Sequence, residues 1–428
     1  MKVGRTIVPA AHSNRCRTSR VLSEKENASD FECSCCPIGR SGHRVVVSED
    51  SIYSLGGFNP AVCGLPDNRP IHEPDERGLP LFQELWRFNI SSRRWQMLDD
   101  FQSVPPTIAS HTIAKTGRWL FCFGGTSIPF GLTATNVIYR YDLQSSNKPL
   151  VTGDIDVKED EIALRSPDDF RWHLVPVTGD IPEERYGHSM TMSFPDIYIV
   201  GGTSGHVYNA EVFHLDLRNG VGKWTKLSSD TDPKQPSGRY RHETAFDGEL
   251  LYVFGGGTDQ EAFPLTDVHT FNIVRKEWGE IKTLPDPQHG HPAPRKCHSC
   301  SQYKNDVYLV GGVSGTLATN QVTCYDDIWR YSLSEGAWTK FSFTLTVPLY
   351  FHSADICEKT GAIWIFGGVT NGRNANMRTN RLIHLQVKVG SLLELTWTVI
   401  CNQVCNRWDR VDMDELGIPG FLQARLQS

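Results

Sequence analysis

Mostly apolar runs that end in a pair of glycines recur along the chain. Each run has four residues before Gly-Gly, and six copies are present. The second glycines of successive copies lie 68, 77, 54, 56 and 56 residues apart. A continuous apolar run that ends in glycine is typical of a strand buried on both faces. The six runs are Ile52–Gly57, Leu120–Gly125, Ile197–Gly202, Leu251–Gly256, Val307–Gly312 and Ile363–Gly368.

Each run belongs to a longer repeat. An arginine or an aromatic residue shortly before a histidine precedes the run, and a second apolar strand and then a tryptophan follow it. The histidines are His43, His188, His242, His298 and His352, and the tryptophans are Trp95, Trp172, Trp224, Trp278 and Trp338. Repeats of roughly 50 residues are typical of the blades of a β-propeller, with one blade per repeat. We place the blades at residues 38–100, 101–176, 177–229, 230–285, 286–342 and 343–388.

A single four-stranded blade buries too little surface to be stable, so the blades must close into a ring. The repeat therefore predicts an all-β, six-bladed β-propeller over residues 37–388. We expect the paired glycines to end each strand where backbones crowd. We expect each outer-strand tryptophan to cover the seam to the next blade. The insertions at 58–80 and 144–170, the second of them acidic, are predicted to be loops.

Composition limits the function. The chain has 43 Lys and Arg against 49 Asp and Glu, a formal charge of −6, which disfavours a generally basic nucleic-acid binder. No stretch approaches the ~20 apolar residues of a membrane helix, and residues 1–30 lack the apolar core of a secretory signal. Twelve cysteines without such a signal favour free thiols in a reducing compartment. Residues 1–36 have no clear pattern and are predicted to be flexible.

Residues 389–428 depart from the repeat. Ser391 followed by Glu394 resembles a capping box, and apolar residues then follow at helical spacing to Val404. The alternative makes Thr396–Ile400 the outer strand of blade six, with Trp397 as its tryptophan. If the tail is helical, a segment of residues 1–36 must supply that strand beside residues 381–387, and Thr6–Ala10 is a poor candidate.

Four arginines from three consecutive blades are predicted to meet at the mouth of the ring. The planar guanidinium matches a carboxylate with two parallel hydrogen bonds, so the cluster would attract anions in a net-acidic chain. Alternatively, each arginine pairs with a nearby acid such as Glu183, Glu184 or Glu243. Strand alternation would direct two of the four, 239 and 241, to the same face. The arginines are Arg185, Arg239, Arg241 and Arg295.

No motif indicates a catalytic centre. The chain has no phosphate-binding loop and no recognisable nucleophile–base arrangement. Cys297 and Cys300 resemble half a zinc site, but no second pair follows at the expected distance, so no metal and no cofactor are predicted. Cys33, Cys35 and Cys36 have no obvious fourth ligand. The repeated histidines are expected to be hydrogen-bonded core residues, because a residue repeated in every blade is more often structural than catalytic.

The Gly-Gly strands with their downstream tryptophans resemble the kelch family, over residues 38–388. In the tail, Ser391-Leu392 with Thr396 and Ile400 is similar to the BC box that binds elongin C, although a small residue or cysteine is usual where Thr396 stands. Ile418-Pro419 with Leu422 and Leu426 is similar to a cullin-2 box. The resemblance to kelch receptors implies the substrate-recognition subunit of a cullin-2 RING ubiquitin ligase that reads protein C-termini.

That resemblance defines two groups of expected site residues. Substrate would contact Arg185, Arg239, Arg241 and Arg295, with Tyr186, Tyr240 and Tyr350 as flat walls. Elongin B/C and cullin-2 would contact Ser391, Leu392, Leu395, Thr396, Ile400, Ile418, Pro419 and Leu422. Such a subunit is not itself an enzyme and is expected in the cytoplasm and nucleus, bound to neither nucleic acid nor membrane. The alternative is a kelch scaffold that binds a signalling or cytoskeletal protein.

Overall fold

The computed structural model describes residues 5–8, 36–62, 80–100, 104–144, 171–229, 231–316, 321–371, 376–404, 413 and 417–426. Residues 145–170 of the acidic loop predicted at 144–170, Cys33, Cys35 and most of the first insertion lie outside these residues. The described strands form six sheets of four or five strands, which are the blades, and two short hairpins. The predicted all-β, six-bladed propeller is confirmed.

The strands follow the chain from blade to blade. The outer strand of blade six is the first in the chain, β1 (Arg5–Val8). Blade one contains β2 (Arg44–Val47), β3 (Ser51–Leu55), β4 (Leu85–Asn89) and β5 (Arg94–Asp99), with a 3-10 turn at Pro60–Val62. Blade two contains β6 (Thr112–Thr116), β7 (Trp119–Phe123), β8 (Ile138–Asp142) and β9 (Trp172–Leu174). Blade three contains β10 (Val177–Gly179), β11 (Ser189–Ser193), β12 (Asp196–Thr203), β13 (Tyr208–Asp216) and β14 (Gly222–Lys226).

The second half of the ring repeats this order. Blade four contains β15 (Glu243–Phe246), β16 (Leu250–Phe254), β17 (Asp267–Asn272) and β18 (Glu277–Lys282). Blade five contains β19 (Ser299–Tyr303), β20 (Asp306–Val310), β23 (Ile328–Ser332) and β24 (Ala337–Lys340), with the hairpin β21 (Val313–Thr316) and β22 (Gln321–Cys324). Blade six contains β25 (Ser353–Cys357), β26 (Ala362–Phe366) and β29 (Leu382–Gln386), with the hairpin β27 (Val369–Asn371) and β28 (Asn376–Arg378).

Buried apolar side chains fill the seams between neighbouring blades. The Gly-Gly strands lie at their centres, as predicted; a Cβ added to Gly56 would come within 2.3 Å of the carbonyl oxygen of Ile108. The predicted direction of the tryptophans was wrong, because each packs on the preceding blade. Trp338 shares a face with its cross-strand neighbour Tyr331, and both rings meet Phe254 of blade four.

A closed ring of backbone hydrogen bonds surrounds the central channel. Each blade contributes the residue before its repeated histidine, and each N–H donates to the carbonyl of the corresponding residue in the preceding blade over 2.7–3.2 Å. All six residues have positive φ between 53° and 69°, which favours glycine, yet only two are glycine. The ring therefore holds four side chains in left-handed backbone. Its members are Gly42, Ser110, Gly187, Arg241, Cys297 and Phe351.

The helical interpretation of the tail is confirmed. Helix α1 (Leu392–Val404) begins after Ser391, whose Oγ accepts the Glu394 N–H at 3.2 Å. The capping box is only half formed, because the Glu394 carboxylate instead accepts hydrogen bonds from Arg425 at 3.2 and 3.3 Å. The short helix α2 (Gly420–Ala424) packs against α1.

Strand β1 supplies the outer strand that the helical tail requires. It pairs antiparallel with β29, with Arg5 opposite Leu385 and Val8 opposite Leu382. The expectation that Thr6–Ala10 is a poor candidate was therefore wrong for its first three residues. A four-residue strand carries little sequence signal, and its partner lies at the other end of the chain.

Deleting residues 1–8 should lower the melting temperature by several degrees. The deletion removes the ladder on one side of β29 and exposes a sheet edge, and about 1 kcal/mol moves a protein of this size by a few degrees. Differential scanning calorimetry would measure the change. Deleting residues 1–4 alone is the matched control, because it leaves β1 in place. Equal melting temperatures for the two deletions would show that the ring closes without β1.

Candidate functional site

The predicted arginines occupy a repeated structural feature, which we call the arginine socket. In four blades the arginine three residues before the histidine donates its Nη1–H to the carbonyl of the first glycine of Gly-Gly, over 2.9–3.1 Å. Its Nε–H donates to the carbonyl two residues earlier in the chain. An aromatic ring packs against each guanidinium at 4.2–5.0 Å. The socket arginines are Arg40, Arg185, Arg239 and Arg295.

In three sockets the guanidinium also pairs with a carboxylate of the same blade. The nitrogen-to-oxygen distances are 2.7 Å, 2.9 Å and 2.6 Å. A second donor holds each carboxylate: an indole N–H at 2.7 and 2.8 Å, or a lysine ammonium at 2.9 Å. These three arginines are structural, since a buried, fully bonded charge pair has no free group for a ligand. The sets are Arg40–Glu84–Trp86, Arg185–Glu211–Lys226 and Arg295–Asp327–Trp329.

The socket of blade four is open. Asp267 holds the same position relative to Gly255 as Asp327 holds relative to Gly311, yet no nitrogen of Arg239 lies within 4.0 Å of its carboxylate among the described contacts. Asp267 instead accepts a hydrogen bond from the Thr266 hydroxyl at 3.1 Å. Side-chain length does not explain the difference, because Asp327 is equally short and does pair.

The second donor explains why the blade-four socket stays open. His269 stands where the other sockets have Trp86 or Trp329, and Glu280 stands opposite it, where Lys226 stands in blade three. The His269 Nδ1 lies 3.7 Å from the Glu280 carboxylate. Burial and the charge of Arg239 lower the pKa of His269 to about 4, so the ring is neutral at pH 7. Among the described contacts, Asp267 therefore receives no second hydrogen bond or ion pair like those that hold the carboxylates of the other three sockets.

A cavity of about 730 Å³ adjoins this socket. Arg239 is 4% exposed, and the described contacts give its Nη2 no hydrogen-bond acceptor. Burial lowers the pKa of Arg239 to about 10, so the guanidinium stays charged at neutral pH. Prolines and an aromatic ring form apolar walls beside charged groups. The cavity is lined by Lys234, Phe263, Pro264, Asp267, His269 and Glu280, among others.

The arginine cluster predicted at the mouth is not assembled. Arg185 and Arg295 form ion pairs, but with Glu211 and Asp327 rather than with Glu183, Glu184 or Glu243. The expectation that 239 and 241 share a face was wrong, because Arg241 adopts φ 58° in the central ring and precedes β15. The two side chains consequently enter different places, the blade-four cavity and the channel.

Side chains from several blades occupy the central channel beside Arg241. The Arg241 guanidinium packs 4.6 Å from the centre of the Phe351 ring and donates to the Ser110 hydroxyl. The free space beside it is about 10 Å³, roughly one water molecule. Arg44 of blade one and Glu243 of the opposite blade form an ion pair at 2.7 Å across the channel. Arg241 is therefore part of a plug.

The three predicted tyrosines have different surroundings. Tyr186 and Tyr240 are half-buried neighbours whose ring centres lie 6.5 Å apart. Tyr208, which sequence reasoning missed, packs 5.2 Å from Tyr240 and extends this aromatic surface. Tyr350 is buried beside Val313 and Val369 and offers no open wall.

The two faces of α1 differ sharply in exposure. Trp397 and Cys401 are 3% exposed, and the Trp397 indole donates to the Ser91 hydroxyl of blade one at 2.9 Å. Leu392 is 81% exposed, Val399 54% and Leu395 47%. Thr396 is exposed, and Ile400 is half-buried against α2. An apolar stripe therefore faces outward on a helix whose other face is fixed to the propeller.

The residues of the predicted cullin-2 box divide in the same way. Ile418 and Leu422 are buried against α1 and hold the tail together, whereas Pro419 and its neighbour Phe421 are exposed. Arg425 fixes the assembly to blade one, where its Nε lies 2.5 Å from Asp50. Its carbonyl accepts a hydrogen bond from the Asn89 amide at 3.0 Å. The tail thus docks on the face opposite the Gly-Gly ends and the arginine sockets.

The repeated histidines are core residues, as predicted, with His111 as the sixth member that sequence reasoning missed. Burial lowers the pKa of all six. Three bond a hydroxyl of the preceding blade over 2.7–3.0 Å. Within the described part of the chain, no group of three His, Cys, Asp or Glu side chains is placed to hold a metal ion. No helix there has the length and apolarity of a membrane span.

Comparison with known proteins agrees with this architecture. A family model described as the KLHDC2/KLHL20/DRC7 Kelch-repeats domain matches residues 150–368. Kelch domain-containing protein 10 of Homo sapiens is 34% identical over 394 residues, covering 91% of this chain and 80% of the relative. The homolog of that protein in Drosophila melanogaster is 31% identical over 411 residues, covering 91% and 62%. Kelch domain-containing protein 2 of Bos taurus is 27% identical over 391 residues, covering 87% and 88%. The chain therefore belongs to the kelch-repeat family of β-propellers.

Proposed function

We propose that this chain is the substrate-recognition subunit of a cullin-2 RING E3 ubiquitin ligase and that it binds the C-termini of target proteins. Kelch propellers typically serve as non-catalytic protein-binding modules, which supports an adaptor rather than an enzyme. The observation that carries the proposal is Arg239, a buried cation whose described contacts include no carboxylate and which lines a cavity of about 730 Å³. A chain terminus would supply the carboxylate that the other three sockets obtain from their own blades.

The exposed stripe on α1 is the proposed elongin C contact. Helix-in-groove binding depends on a few apolar anchors, and Leu392, Leu395 and Val399 present such anchors without a covering partner in the described chain. Pro419 and Phe421 would extend this surface toward cullin-2. The substrate cavity and α1 lie on opposite faces of the ring, so both sites could be occupied at once. The complex would act in the cytoplasm and nucleus.

Peptides with free and blocked C-termini test the substrate half. A fluorescent ten-residue peptide ending in glycine should bind the full chain at least about tenfold more tightly than its C-terminal amide, because the amide removes the charge that pairs with Arg239. Fluorescence polarisation measures both affinities. Equal affinities would contradict C-terminus recognition and favour the scaffold alternative.

Substitutions on α1 test the ligase half. Leu392→Ala with Leu395→Ala should reduce capture of elongin B/C by about 30-fold or more, since the loss of even one such anchor costs about 2 kcal/mol at a helix interface. Both side chains are exposed, so the melting temperature should not change. Val274→Ala, an equally exposed aliphatic residue on blade four, is the control. Undiminished capture by the double variant would exclude this helix as the elongin site.

A further inference from the structure

The blade-four cavity contains two carboxylates that form no ion pair with a lysine or arginine among the described residues. The described contact of Asp267 is the Thr266 hydroxyl, and that of Glu280 is the neutral His269 ring. Lys282 lies across the strand pair from Asp267 but forms no ion pair with it among the described residues. An acidic lining beside a site for a carboxylate is unexpected if charge attraction alone selects the ligand.

The charges of the cavity are balanced before any ligand enters. Arg239 lies buried at its inner side and Lys234 is exposed at its rim, while Asp267 and Glu280 line the outer side. A ligand that brought only a carboxylate would leave a net negative charge close to two acidic side chains, and like charges in a partly buried site repel. A ligand with an adjacent cation would leave the cavity neutral.

The geometry of blade four fixes where that cation would lie. Asp267 and His269 are two residues apart on β17, so their side chains lie on the same face of the sheet. Glu280 lies directly opposite His269 on β18. The two acids thus flank one side of the cavity, whereas the Arg239 guanidinium approaches from the Gly-Gly side. A lysine or arginine has a long, flexible stem, so its charge can reach this acidic side while the neighbouring chain terminus meets Arg239.

We propose, on the basis of the function proposed above, that the cavity selects C-termini in which a lysine or arginine immediately precedes the last residue. Arg239 binds the terminal carboxylate, and Asp267 with Glu280 binds the basic side chain. The two acids thereby act as specificity determinants, and chains with an acidic residue at the same position are rejected.

Three peptides that differ only at the penultimate position test this selectivity. They end in Lys-Gly, Gln-Gly and Glu-Gly, each as free acid and as amide, and fluorescence polarisation measures their affinity for the full chain. We expect the Lys-Gly acid to bind about threefold more tightly than Gln-Gly and about tenfold more tightly than Glu-Gly, because each partly exposed charge pair contributes modestly.

Variants of the two acids identify the source of the preference. Asp267→Asn with Glu280→Gln should remove the preference for lysine, and Glu280→Lys should reverse it. Glu277→Gln, an exposed acid on the same strand that does not line the cavity, is the matched control and should leave the preference unchanged. Both acids are partly or fully exposed, so these variants should fold.

The outcomes separate the two proposals. Equal binding of the Lys-Gly and Glu-Gly acids, with the acid-to-amide difference intact, would overturn the selectivity and leave C-terminus recognition standing. Loss of the acid-to-amide difference for every peptide would overturn the proposed function itself. A lysine preference that persists in the double variant would overturn the assignment to Asp267 and Glu280.

Discussion

Replacing Arg239 by alanine should weaken the binding of a C-terminal peptide by about 2–5 kcal/mol, or about 30-fold to several thousandfold. The guanidinium is buried and lacks a carboxylate in the described contacts, so a bound chain terminus would depend on it for its charge partner. Titration of the labelled peptide by fluorescence polarisation gives the loss directly. Arg239→Lys should fall between the wild type and the alanine variant, because it keeps the charge but loses the planar fork.

Two controls accompany this measurement. Arg94→Ala removes an exposed arginine on an outer strand and should leave peptide affinity unchanged. The melting temperature of Arg239→Ala should fall less than that of an alanine variant in a paired socket, since no ion-paired carboxylate is left behind. Wild-type peptide affinity in Arg239→Ala would exclude the blade-four socket as the substrate site.

Replacing Arg295 by alanine should instead destabilise the fold, lowering the free energy of unfolding by about 3–5 kcal/mol. The Arg295 side chain is fully buried, bonds Asp327 at 2.6 and 3.1 Å and donates to the Gly311 carbonyl. Its removal leaves a largely buried carboxylate without its cation. Denaturant unfolding followed by tryptophan fluorescence would measure the loss.

The carboxylate partner provides the matched variant. Arg295→Ala combined with Asp327→Asn should recover part of the lost stability, because the amide no longer carries an unpaired charge. Burial alone would raise the pKa of Asp327, but the bonds and charge of Arg295 hold it below its usual range. Its contribution is therefore present at neutral pH and is lost as pH falls through that lowered pKa. A single variant as stable as wild type would show that the pair is dispensable.

The sequence predicted the architecture well because the signals for it are local. A Gly-Gly pair after an apolar run marks a strand packed between blades, and Ser391 marks the start of α1. The closing strand was misjudged for the opposite reason. Four residues near one end of the chain carry no sign that they pair with Leu382–Gln386, and only ring closure makes that pairing necessary.

The site was harder to predict because the four socket arginines look alike in sequence. Arg239 and Arg295 are each followed by an aspartate near the start of the third strand, 28 and 32 residues later, and only the second pair forms among the described contacts. The difference lies in a third residue. Trp329 donates a hydrogen bond to Asp327, whereas His269 stands at the equivalent position beside Asp267. Arg241 was misplaced for a related reason, since strand alternation cannot anticipate a left-handed residue that redirects the side chain into the channel.

The pairing of β1 with β29 also determines the order in which the protein can be completed during its synthesis. More than 370 residues separate Val8 from Leu382, its partner. At about 5–20 residues per second, the ribosome needs roughly 20–75 s to deliver that partner. Blades one to five can form within this interval, while the first strand waits unpaired. The ring can therefore close only after blade six has emerged from the ribosome.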